Sequence, residues 1–143
     1  MKIREIELAA LSIVKHLLAA DGYDVSAGAR GYDLKATKGD EELHIEVKGA
    51  GARIATSGGH RYLTDGEFNA ARKDPKWELW VLENVGEASG AMVTRLPRRE
   101  VLAELDIEVR WRLRWDRDVQ ALAQPLSAET VAEAMGATGE KAP

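Results

Sequence analysis

No cysteine occurs among the 143 residues, so neither a disulfide nor a cysteine-ligated zinc site can hold this fold together. Such a chain suits a cytoplasmic setting. No apolar run approaches the roughly 20 residues a membrane helix needs, and the N-terminus carries no signal-peptide pattern. Basic excess is missing too: 20 Lys and Arg against 24 Asp and Glu leave a net charge of −4. That argues against a surface coated evenly in nucleic acid and leaves room only for a local basic patch. What is present is an ordinary globular composition, 45% hydrophobic and 31% charged, long enough to bury a real core. The expected organisation is one domain over 1–143, with a core at about 3–85 and a C-terminal extension at about 90–135.

The most informative stretch runs from Gly31 to Gly49. Tyr32, Leu34 and Ala36 alternate with Asp33, Lys35 and Thr37, and Leu43, Ile45 and Val47 alternate with His44, Glu46 and Lys48. Period two on both sides of Lys38-Gly39-Asp40-Glu41 reads as a β-hairpin. A two-residue loop pairs Lys38 with Glu41 and a four-residue loop pairs Thr37 with Glu42. Both place Asp33 opposite Glu46. Opposed side chains lie about 5 Å apart at Cβ, where like charges destabilise. Either a divalent cation relieves this pair, since hard ions take carboxylate and carbonyl oxygens, or the face is simply solvated.

Upstream, Ile3 to Ala20 predicts a helix with Ile6, Ala9, Ala10, Ile13, Val14, Leu17 and Leu18 on its apolar face. Gly22 is its natural stop. Glu7 borders that face, and Glu5 is its near neighbour; a glutamate in the first turn ordinarily serves the helix dipole. Tyr23 to Ala27 predicts a short strand, turned by Gly28 to Gly31. From Gly49 to Thr64 no acidic residue occurs, while Arg53, His60 and Arg61 do. With Gly51, Gly58 and Gly59, the segment from Ala50 to His60 predicts a mobile loop, either a phosphate-facing flap or a plain surface loop.

Thr64 and Glu67 form a capping box, with Leu63 and Phe68 as a staple, for a helix that ends before Pro75. That gives Glu67 a structural task. Trp77 to Glu83 predicts a central strand covered on both faces. Ala91 to Leu96 predicts a strand, Arg98 to Leu105 a helix, Ile107 to Trp115 one alternating strand, and Ser127 to Met135 a last helix with a frayed tail beyond Gly136.

The order helix, strand, hairpin, helix, strand, with Glu7, Asp33, Glu46 and Lys48 at these places, resembles the PD-(D/E)xK nuclease superfamily over roughly residues 3–85. The phrases Gly31-Tyr-Asp-Leu34, Ile45-Glu-Val-Lys-Gly49 and Leu63-Thr-x-x-Glu67 look most like the C-terminal domain family of protein NO VEIN. The superfamily's proline before the aspartate is replaced by Tyr32. The resemblance implies an α/β fold with a restriction-endonuclease-like core (αβββαβ), a mixed central sheet flanked by helices, and a strand-helix-strand extension.

It also implies metal-assisted phosphodiester hydrolysis. Asp33, Glu46 and the Val47 carbonyl would hold Mg²⁺ or Mn²⁺, Glu7 would contribute directly or through water, and Lys48 would orient the attacking water or stabilise charge on the phosphate. The expected partner is nucleic acid, DNA favoured over RNA, contacted by Arg30, Arg53, His60 and Arg61. A homodimer stays open, and no membrane partner is expected. Two other readings stand beside this one, because fold does not carry function. One is an inactive nuclease-fold module that binds nucleic acid or a protein. The other is an ordinary α/β interaction domain with a chance E-x-K.

Overall fold

The computed structural model describes residues 1–57, 59–87, 89–107 and 111–139. Helix α1 spans Ile3–Ala20 and buries Ala9, Ala10, Ile13, Val14 and Leu18, the face its periodicity marks. At its start Glu5 Oε2 accepts the amide hydrogen of Lys2 at 3.1 Å. Glu5 therefore serves the helix start. At the other end Gly22 adopts φ +89° and its amide returns to the Ala19 carbonyl, a left-handed stop that favours glycine.

Strands β1 (Asp24–Ala29), β2 (Tyr32–Lys38) and β3 (Glu41–Gly49) form an antiparallel meander. Lys38 pairs with Glu41, so the structure selects the two-residue loop, with Gly39 at φ +60°. Helix α2 (Asp65–Lys73) leads into β5 (Trp77–Glu83), which runs parallel to β3. Strand β6 (Met92–Pro97) pairs with β5, and the two-residue β9 (Gln124–Pro125) closes the sheet in the order β1-β2-β3-β5-β6-β9. The result is a six-stranded mixed sheet flanked by helices.

Alternate residues of β5 enter opposite cores. Trp80 and Leu82 join Ile13, Leu18 and Ile45 beneath α1. Trp77, Leu79 and Val81 join Ala71, Leu96 and Val101 on the face of α2 and of α3 (Arg98–Glu104). At about 25 cal/mol per Å² of apolar surface, this two-sided burial is the main force that orders the sheet.

Several expectations need correction. The segment after Gly49 is not a free flap: Ile54–Ser57 is a 3-10 turn, Ile54 is fully buried, and its amide donates to Glu83 Oε2 at 2.7 Å. A fully buried carboxylate at the end of β5 thus holds the middle of the supposed loop. A further strand, β4 (His60–Leu63), follows it. The stretch His60-Arg-Tyr-Leu63 does not alternate polar with apolar residues, so it carries no period-two signal.

The extension is also more than strand-helix-strand. In place of one strand there are two, β7 (Leu105–Ile107) and β8 (Trp111–Arg114), paired antiparallel, and β8 pairs with β4 in a second, three-stranded sheet. The sequence alternates without interruption from Ile107 to Trp115 and carries no Gly, Pro or Asn there to signal two strands. Residues 108–110, which the expected strand includes, lie outside the described residues. Helix α4 (Arg117–Gln120) follows, and α5 (Ala128–Gly139) runs past Gly136, where fraying was expected.

Candidate active site

The pairing of β2 with β3 ends at Leu34 and Ile45. One step further Asp33 faces Glu46, and there a side chain takes over from the ladder: Asp33 Oδ2 accepts the amide hydrogen of Val47 at 2.8 Å. Beyond this point a cleft of about 850 Å³ opens between α1 and the end of β3. Its wall includes Glu7, Asp33, Glu46, Val47, Lys48, Arg61 and Glu67.

Two glycines let the helices close on it. A Cβ at Gly49 would lie 2.9 Å from the Ala10 Cβ, so only glycine allows α1 to rest against the end of β3. Gly31, at φ +94°, would bring a Cβ within 2.8 Å of the Gly66 carbonyl in α2. The Gly31 carbonyl also accepts the Trp77 indole N–H at 2.9 Å.

Parallel pairing sets Glu46 beside Leu79 and Lys48 beside Val81. Glu46 is only 5% exposed. Lys48 Nζ lies 3.5 Å from Glu46 Oε1 and 2.8 Å from Glu67 Oε1. Burial first, and then the Glu67 and Asp33 carboxylates, push the Glu46 carboxyl up to about 10. Glu67 moves the other way: burial would raise it, but bonds from Glu46 and Lys48 more than offset that. Burial pulls the Lys48 ammonium down, yet Glu67 and Glu46 hold it above the usual lysine range.

The expected site residues separate into groups. Glu7, Asp33, Glu46, Val47, Lys48 and Arg61 all line the cleft. Arg30 lines an adjoining cavity of about 340 Å³ that shares Asp33, Glu46 and Glu67 with it. His60 begins β4 outside both walls. Arg53 is also outside: its Nε lies 3.4 Å from Glu83 Oε2, and Gln120 Nε2 donates to the same carboxylate at 3.1 Å. Among the described residues no three His, Cys, Asp or Glu side chains are drawn closely enough to enclose an ion.

Sequence reasoning passed over Glu67. Its capping role is real, since Oε1 accepts the Thr64 amide at 3.1 Å and its own amide donates to Thr64 Oγ1 at 3.2 Å. The same oxygen also receives Lys48. The signal lay in the motif itself, because a residue at N3 of a helix aimed at the E-x-K strand can do both.

Residues 6–95, more than half of the chain, match the family described as Protein NO VEIN, C-terminal. The chain belongs to that family. No curated protein matches it. Among solved structures it is similar to Hjc of Archaeoglobus fulgidus, a Holliday junction resolvase from an archaeal hyperthermophile. The identity is 19%, covering 91% of this chain and 95% of that one, with a TM-score of 0.54. At that identity the likeness establishes the fold, a resolvase and restriction-endonuclease-like one. No helix among the described residues is long and apolar enough to cross a membrane.

Proposed function

We propose that this NO VEIN C-terminal domain is a Mg²⁺- or Mn²⁺-dependent nuclease that hydrolyses phosphodiester bonds, with DNA as the favoured substrate. The observation that carries the reading is the meeting of Asp33, Glu46 and Lys48 at one cleft, where the β2–β3 ladder ends. A buried glutamate beside two more carboxylates and one lysine is an excess of negative charge. Oxygen donors of this kind fit a hard divalent cation. Magnesium is commonly held by one or two carboxylates together with water and substrate phosphate, so Asp33, Glu46 and the Val47 carbonyl suffice as ligands.

A bound ion would supply Lewis acidity toward the scissile phosphate and a lowered pKa for a coordinated water. The chain's own groups do the rest. Asp33 is oriented by the Val47 amide before any ligand arrives. Lys48, on the same face as Glu46, stabilises charge that develops on the phosphate or orients the attacking water. Glu7 would contribute to the ion's shell from the α1 wall, directly or through water, and Arg61 and Arg30 receive flanking phosphates from the two cavities.

The test is cleavage of labelled duplex, single-stranded and four-way-junction DNA, and of RNA, with Mg²⁺ or Mn²⁺ and with EDTA. The junction is included because the A. fulgidus protein is a Holliday junction resolvase. Divalent-dependent cleavage supports the reading. Binding without cleavage on every substrate supports an inactive nuclease-fold module instead.

A further inference from the structure

We propose that Glu67 is the positioning residue of Lys48. The proposal rests on the nuclease reading above and adds to it a residue of α2, a helix from which no catalytic group was expected.

A lysine ammonium sits on a flexible four-carbon stem with freely rotating donors, so a strand alone does not fix it. Glu46, two residues away on the same strand, lies 3.5 Å from Lys48 Nζ and leaves it room to swing. Glu67 comes from a different element and binds it at 2.8 Å. Glu67 is itself held, because Oε1 also accepts the Thr64 amide and its own backbone amide is tied to Thr64 Oγ1. The start of α2 is in turn seated on the hairpin by the close approach of Gly31 to Gly66 and Ala70. The ammonium is therefore held between two elements, Glu46 of β3 and Glu67 of α2, at the cleft that Asp33 also lines. Outer residues that orient a reacting group typically matter about ten- to a hundredfold.

Glu67→Gln is the suitable variant, because glutamine also serves at N3 of a capping box and the change removes the charge that holds Lys48, relieving Glu46 of a neighbouring carboxylate as well. Wild type, Glu67→Gln, Lys48→Ala and the double variant are compared by kcat and KM on the best substrate. Thermal melts and Mn²⁺ calorimetry run alongside. Melting should stay near wild type and Mn²⁺ affinity should not fall in Glu67→Gln, while kcat falls about tenfold or more with KM little changed. In the Lys48→Ala background the same substitution should add nothing.

An undiminished kcat in Glu67→Gln overturns the proposal. So does an additive loss in the double variant, which would mean that Glu67 acts directly. Loss of Mn²⁺ binding by Glu67→Gln overturns it as well, by making Glu67 an ion ligand. A wild type that cleaves nothing removes the nuclease reading and this role together. A wild type matched by Glu67→Gln removes only this role.

Discussion

Asp33 Oδ2 takes the amide hydrogen of Val47 at 2.8 Å, and this bond replaces a rung of the β2–β3 ladder with a side chain. One carboxylate thereby ends the strand pairing, opens the cleft and faces the neighbouring Glu46. The aspartate's structural and chemical tasks are inseparable in the free protein, but different substitutions separate them.

Asp33→Asn keeps an oxygen that can accept from Val47 and removes the charge. Its melting temperature should stay close to wild type, since a neutral hydrogen bond of this kind contributes about 1 kcal/mol. Mn²⁺ binding measured by calorimetry should fall by an order of magnitude or more. Unchanged Mn²⁺ affinity in Asp33→Asn would remove Asp33 from the ligand set.

The buried Glu46 gives a pH signature in the ion-free protein. Its folded pKa, about 10, lies above the ordinary 4.5, so the folded state holds a proton that the unfolded state gives up. The stability tied to that proton is fully present below about pH 4.5. It is lost progressively as pH rises toward 10. Glu67, lowered in the fold, contributes oppositely: its share is present above its ordinary value and lost toward acid. Because Glu46 carries the large shift, Glu46→Gln should gain in melting temperature over wild type as pH goes from 5 to 9 in EDTA, by about 3 °C per kcal/mol. A difference independent of pH would show that Glu46 is ionised in the free protein.

Much of this arrangement was legible in the sequence. Period two in Gly31–Gly49 places Asp33 across from Glu46 because a hairpin with either loop length leads to the same pair. The apolar stripe of α1, the Thr64 cap and the doubly buried Trp77–Glu83 strand are equally local signals. Two features could not be read that way. Glu83 looks like the polar end of an apolar strand, yet it becomes buried where Arg53 and Ile54 from one distant segment and Gln120 from another reach it. The Lys48–Glu67 contact depends on where α2 docks, which Gly31 decides through tertiary packing. Hydrophobic period reports which face is buried, not which neighbour covers it.

Arg53 and Arg61 look alike in an acid-free stretch, but their surroundings separate them. Arg53→Ala withdraws a cation from the fully buried Glu83 and should cost about 1–3 kcal/mol of stability, with little effect on the salt dependence of nucleic-acid binding. Arg61 lines the cleft, where burial lowers its guanidinium and Glu83 partly restores it. Arg61→Ala should melt near wild type, bind DNA more weakly, and lower the slope of log K against log salt by about one. Thermal melts and fluorescence titrations at several salt concentrations check both. The reverse pattern would exchange their roles.

The most direct test of the central claim is whether cleavage depends on the cleft. Lys48→Ala leaves Asp33, Glu46 and the hairpin in place, so the protein should fold and bind Mn²⁺. Its cleavage rate should nonetheless fall on the order of a hundredfold or more, as for the loss of one preorganised stabilising group, with Glu46→Gln inactive beside it. If wild type, Lys48→Ala and Glu46→Gln all cleave at the same rate, the activity does not arise at this cleft and the account is contradicted.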